Sequence, residues 1–176
     1  MKLIVFGATG RTGKYLVQQS LAQGHFITAF VRDPSRWGIQ HKRLVIIQGD
    51  VLDPGSVEKA MVGQDVVLCA LGLCKRESTA VLTDGTQHII QAMKKHGTRR
   101  IICVSAAGFL GEQADFLIGR VLFWYVRRYL KRLFGAMEQQ YRELEQSGLE
   151  WIAVRPILLD EGLQKGKYRI AVEGIP

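Results

Sequence analysis

The feature that most constrains this chain lies at its start. An unbroken apolar run, Leu3-Ile4-Val5-Phe6 after Lys2, delivers the backbone into Gly7-Ala8-Thr9-Gly10-Arg11-Thr12-Gly13, and an apolar-periodic segment opening Lys14-Tyr15-Leu16-Val17 follows at once. A run of strand length, a glycine turn and a helical period in immediate succession predict strand, tight turn and helix. Gly7 allows the turn, Gly10 lets the backbone approach a pyrophosphate with no Cβ in the way, and Gly13 lets the helix pack closely on the strand. The free N–H groups and the dipole at the start of such a helix favour an anion. The spacing is G-x-x-G-x-x-G rather than G-x-G-x-x-G, so its weight comes from position: it directly follows a first strand, and a second strand arrives on schedule.

That second strand is Phe26-Ile27-Thr28-Ala29-Phe30-Val31, after a helix from roughly Gly13 to Gln23 that Gly24-His25 ends. In dinucleotide folds the residue at the tip of this strand sees the adenosine ribose: a carboxylate suits a free 2′-hydroxyl, an arginine a 2′-phosphate. Arg32 occupies the tip and Arg36 is near enough to be a second prong, which favours NADP(H) over NAD. Asp33 keeps the contrary reading open, since a strand ending one residue later would put a carboxylate there, and both arginines could instead be solvated loop charges.

Leu44-Val45-Ile46-Ile47-Gln48 reads as the third strand, with Asp50 at the adenine edge and Val51 as an apolar contact beside it. Asp53-Pro54 opens the next helix, Asp53 as N-cap and Pro54 in the first turn. Strand four is Asp65 to Leu71, and its small apolar end, Ala70-Leu71-Gly72, would pass the cofactor's ribose and pyrophosphate. A helix around Thr86 to Lys95 and a fifth strand, Arg100 to Val104, complete an alternation that predicts an α/β fold: a Rossmann-type, doubly wound parallel sheet in three αβα layers. Ser105, at the end of strand five, could bond a substrate carbonyl or a nicotinamide carboxamide, or simply cap the next turn.

These segments resemble the NAD(P)H-binding, atypical short-chain dehydrogenase/reductase-like family, in particular its biliverdin reductase B/flavin reductase group. The resemblance is carried by Phe6 to Gly13, Val31-Arg32-Asp33-Pro34-Ser35-Arg36, Gly49-Asp50-Val51-Leu52, Ala92 to Gly97, Val104-Ser105-Ala106, Ser147 to Trp151 and Val154-Arg155-Pro156. It implies that Gly7, Thr9, Gly10, Arg11, Thr12 and Gly13 cradle the pyrophosphate, that Arg32 and Arg36 hold a 2′-phosphate, that Asp50 and Val51 border the adenine, and that Ala70, Leu71 and Gly72 border the ribose. Ser105 matches the family's serine beside the nicotinamide, which makes it the candidate catalytic residue. The implied activity is hydride transfer from NADPH to a planar acceptor such as a flavin, a linear tetrapyrrole or a quinone.

Three departures accompany the resemblance. No Tyr-x-x-x-Lys pair is present, since Tyr125 is followed four residues later by Tyr129 and Tyr141 by Glu145. Tyr141 stands where the biliverdin/flavin reductases carry a histidine, with pocket lining or packing as its open roles. Family members also usually continue past the position of Pro176 with another strand and helix, so part of the substrate lobe is expected to be missing from an otherwise single domain spanning residues 1–176. The alternative reading is a non-catalytic NADP(H)-sensing or assembly protein.

Between Ser105 and Ser147 lies a basic amphipathic segment, Phe116 to Phe134, with Arg120, Arg127, Arg128, Lys131 and Arg132 on one side and Val121, Leu122, Tyr125, Val126, Tyr129, Leu133 and Phe134 on the other. It is too interrupted by charge to span a bilayer. It could lie over the substrate cleft, form a protein partner or dimer surface, or bind an anionic membrane surface. The formal charge of +8 suits phosphorylated ligands, and no nucleic-acid motif accompanies it. Cys69 and Cys103 fall in apolar runs, Cys74 completes an odd number, and no secretory signal is evident, so the expected setting is the cytoplasm. His25, His41, His88 and His96 are scattered without ligand spacing, so no metal site is expected.

Overall fold

The computed structural model describes residues 1–73, 78–106 and 131–156. Cys74, residues 116–130 of the basic segment and the C-terminal stretch to Pro176 lie outside the described residues. The elements are β1 (Lys2–Phe6), α1 (Arg11–Ala22), β2 (Phe26–Val31), β3 (Leu44–Gln48), α2 (Pro54–Met61), β4 (Val66–Cys69), α3 (Thr83–His96), β5 (Arg100–Val104), α4 (Lys131–Glu145) and β6 (Glu150–Val154). Single 3-10 turns at Pro34–Arg36 and Thr79–Val81 precede β3 and α3.

Among the described residues all pairings are parallel and the strand order is β3-β2-β1-β4-β5-β6. A central parallel strand is covered on both faces, which is why β1 is apolar throughout rather than alternating. Leu3 and Val5 point to one side, where Val17 and Leu21 of α1 meet Ile27, Ala29 and Leu68. Ile4 and Phe6 point to the other, packing with Val57 and Met61 of α2, Ile89 and Met93 of α3 and Leu144 of α4. Helices on both faces of one sheet make the three layers that the sequence predicts.

The local signals act where they stand. Asp53 accepts from the N–H groups of Gly55 and Ser56 to cap α2, and Gly97 ends α3 with a φ of 73°. Three boundaries differ from expectation. Lys14 N–H donates to Gly10 O at 3.0 Å, so α1 starts at Arg11, inside the glycine turn. β4 is shorter than Asp65 to Leu71, although Ala70 N–H still donates to Phe6 O at 2.9 Å. α3 begins at Thr83 because the 3-10 turn runs almost directly into it.

A sixth strand joins the predicted five. β6 pairs with β5 from Arg100↔Glu150 to Val104↔Val154. Its run is short, it lies at a sheet edge, and Ile152 and Val154 are about half exposed, so no strong burial pattern marks it. Tyr141 of α4 meets Trp151 of β6 edge to face at 5.2 Å between ring centroids. Of the two roles left open for Tyr141, the structure shows packing; it is not among the residues lining the cavity described next.

Candidate functional site

The sheet order reverses between β1 and β4, and the crevice at the C-terminal ends of these strands is where open α/β sheets take ligands. Here it is a cavity of about 640 Å³. Its base is the glycine turn, through Gly7, Thr9, Gly10, Arg11 and Thr12. The ends of the neighbouring strands contribute Phe30, Val31 and Arg32, then Gly49, Asp50 and Val51, then Ala70 to Leu73, then Val104 and Ser105. Leu133 and Met137 of α4, with Val81, close one side.

Two glycines are required by close approach. Gly7 has a φ of +74°, and a Cβ there would stand 2.3 Å from Ala70 O. At Gly13 an added Cβ would stand 2.1 Å from Gly7 O and 2.8 Å from Ala8 Cα, so its absence brings α1 onto the turn. Gly13 packs helix against turn and is not among the residues lining the cavity. Gly10 is the N-cap of α1 and offers no side chain to its first N–H groups. Those donors, together with the helix dipole, are left for an anion in the cavity.

At the tip of β2 the structure separates Arg32 from Asp33. Arg32 lines the cavity, and its carbonyl is held by Gln48 Nε2 at 3.3 Å. Asp33 instead caps the 3-10 turn, where its Oδ1 accepts from Ser35 N–H at 3.0 Å and from Ser35 Oγ at 2.6 Å. The side chain of Arg36, the expected second prong, is outside the described structure.

Asp50 and Val51 line the cavity. Asp50 Oδ1 accepts from Leu52 N–H at 3.0 Å, and Val51 is nearly buried at 5% exposure. At the other end, Ser105 N–H donates to Val154 O at 2.8 Å and so continues the β5–β6 pairing. Its Oγ is buried and has no hydrogen-bond partner among the described residues. A buried hydroxyl without a partner costs free energy unless a further group satisfies it.

Of the predicted site residues whose side chains the structure describes, all but Gly13 line one cavity. Sequence reasoning missed Phe30, Val31, Gly49, Leu73, Val81, Val104 and Met137. Met137 could have been found, because it follows Leu133 by one helical turn on the same face.

A parallel sheet of this order, with a glycine turn and an uncapped helix start at its switch point, defines a Rossmann-type dinucleotide-binding protein. A sequence model of the NAD(P)H-binding family matches residues 7–176, and the chain belongs to that family. An uncharacterized chloroplastic protein of Arabidopsis thaliana is 28% identical over 170 residues, covering 88% of this chain and 58% of the relative. A 3-diazoavenalumate denitrifying reductase of a Streptomyces species is 34% identical over 119 residues, covering 61% of this chain and 38% of that one. The chain therefore spans less than two thirds of the length of either relative. Among solved structures, a short-chain dehydrogenase/reductase of Veillonella parvula in complex with NADP superposes with a TM-score of 0.74 at 25% identity, covering 88% of this chain and 68% of that chain. No helix among the described residues is long and apolar enough to cross a membrane.

Proposed function

We propose that this chain is an NADPH-dependent reductase that passes hydride to a flavin or a similar planar acceptor, akin to the biliverdin/flavin reductase group. The observation that carries the reading is the buried Oγ of Ser105, without a partner among the described residues, which shares one cavity with the glycine turn and with the apolar wall of Leu133 and Met137. NADPH in the cavity would supply the hydride. The N–H groups at the start of α1 meet the pyrophosphate, with Thr9, Arg11 and Thr12 around it. Arg32 meets the 2′-phosphate, a role that the diversion of Asp33 to Ser35 supports. Asp50 and Val51 border the adenine, and Ala70, Leu71 and Gly72 the ribose. Ser105 bonds the nicotinamide carboxamide or the acceptor and sets their mutual orientation, while Leu133, Met137 and Val81 exclude water from the reacting faces. The reductase relative from Streptomyces supports the reaction class, and the buried free thiols of Cys69 and Cys103 support a cytoplasmic setting.

The test is calorimetry with NADPH and NADH, followed by addition of FMN while the NADPH absorbance is followed. NADPH is expected to bind more tightly than NADH. Arg32→Ala should remove about 10- to 100-fold of NADPH affinity, the worth of a charge-assisted hydrogen bond, and leave NADH binding unchanged. Decay of the absorbance supports the reductase. Tight binding with no decay over a panel of flavins, quinones and tetrapyrroles points instead to a cofactor-sensing protein, and equal affinities for the two nucleotides would refute the role of Arg32.

A further inference from the structure

We propose that His88, a residue of α3 that does not itself line the cavity, sets the adenine wall by holding the Val51–Leu52 peptide from behind. This inference rests on the reading of the cavity as an NADP(H) site, and adds to it a positioning residue.

The wall is the turn after β3, and its backbone is fixed from several directions. Gly49 lies under the ring of Phe30, where a Cβ would stand 2.5 Å from the ring. The carbonyl of Asp50 accepts from Ser56 Oγ at 2.9 Å and from Asp53 N–H at 3.0 Å. The peptide between Val51 and Leu52 is held at both ends: its N–H donates to Asp50 Oδ1 at 3.0 Å, and its carbonyl meets His88 Nδ1 at 2.9 Å. A carbonyl only accepts, so Nδ1 carries the hydrogen. The side chain of Val51 rests on the same helix three residues earlier, at Gly85, where a Cβ would come within 2.9 Å of Val51 Cγ1.

α3 thus touches Val51 twice, by a close contact that needs glycine at 85 and by a donor at 88. Residues three apart on a helix share a face, so both contacts press on the turn together. Val51 lines the cavity directly, and a rotation of its peptide would move the surface offered to the adenine. Without the His88 donor the carbonyl is left unpaired or must turn towards water, and the peptide plane turns with it.

Asparagine places its amide nitrogen close to where histidine carries Nδ1, whereas glutamine places its own one bond further out. His88→Asn, His88→Gln and His88→Ala therefore separate the bond from mere bulk. The measurement is the affinity of each variant for NADPH, for 2′,5′-ADP and for reduced nicotinamide mononucleotide, with thermal unfolding alongside so that binding is read well below each midpoint. His88→Ala and His88→Gln should weaken NADPH and 2′,5′-ADP by the same factor, about 3- to 10-fold for one net hydrogen bond. His88→Asn should restore both, and reduced nicotinamide mononucleotide should be unaffected. Wild-type-like affinity for 2′,5′-ADP in all three variants, or an Asn variant as weak as Ala, would overturn the role of His88 while leaving the cofactor reading intact. Failure of the wild-type chain to bind NADPH or 2′,5′-ADP would overturn both.

Discussion

Gly13 and Gly135 are both helical glycines, and the structure gives them opposite consequences. A Cβ at Gly13 would meet the backbone of Gly7 and Ala8, neither of which can move without shifting the turn. Gly13→Ala is expected to destabilise the fold by about 1–3 kcal/mol or more, as overpacking does. It should also abolish NADPH binding, because the displaced turn is the cradle. Gly135 in α4 is exposed, and a Cβ there would meet nothing within 4 Å among the described residues. Gly135→Ala is expected to stabilise by about 0.5–1 kcal/mol through helix propensity alone. Urea unfolding of the two variants checks both signs. If both destabilise, the account of Gly135 as an open helical site is wrong.

At the scale of elements, α3 is the strut of the site. One of its faces holds the Val51 turn through Gly85 and His88, and another holds α4, which carries Leu133 and Met137 to the lining of the same cavity. The α3–α4 contact has a polar centre: Gln140, 2% exposed, donates from Nε2 to Oγ1 of Thr86, which is fully buried, at 2.9 Å. A second bond, from Gln87 Nε2 to Glu143 Oε1 at 2.7 Å, lies nearer the surface. Thr86→Val leaves the Gln140 amide buried without an acceptor, at an expected cost of about 1–3 kcal/mol. Adding Gln140→Leu removes the orphan and should recover much of that loss. A double-mutant cycle by denaturant unfolding measures the coupling, and strictly additive losses would mean that the two side chains do not act as a pair.

At the scale of the whole molecule, burial on both faces of the sheet determines how the thiols behave. Cys69 and Cys103 are register partners on β4 and β5, almost without exposure. Cys103 is pushed well above the ordinary thiol range because it hydrogen-bonds to Cys69 and is buried. A thiol so placed reacts only when its strand opens. In a Cys74→Ser background, labelling of these two cysteines by a thiol reagent should therefore proceed at the rate of global unfolding and accelerate in step with added urea. Rapid labelling of the native protein would show that the central strands open locally.

What was legible in the sequence is what neighbouring residues determine among themselves. The apolar run, the glycine turn and the helical period lie within twenty residues, and the structure returns β1, the turn and α1 with only a two-residue shift at the helix start. The Asp53 cap and Pro54 were legible for the same reason, since a cap acts over two or three residues. Other features depend on which distant segments meet. Whether Arg32 or Asp33 faces the cavity turned on the bonds that Ser35 makes to the carboxylate. That the Ser105 hydroxyl has no partner among the described residues depends on how distant strands meet around it. Strand β6 exists because β5 offers it an edge, and Leu133, Met137 and His88 reach the site through helices remote from the glycine turn in sequence. Sheet register and helix packing decide such meetings; the helical period that puts Leu133 and Met137 on one face does not say what that face meets. The sequence by itself determined the first strand, the glycine turn and the helix that follows; only the tertiary structure decided which distant side chains share the cavity with them.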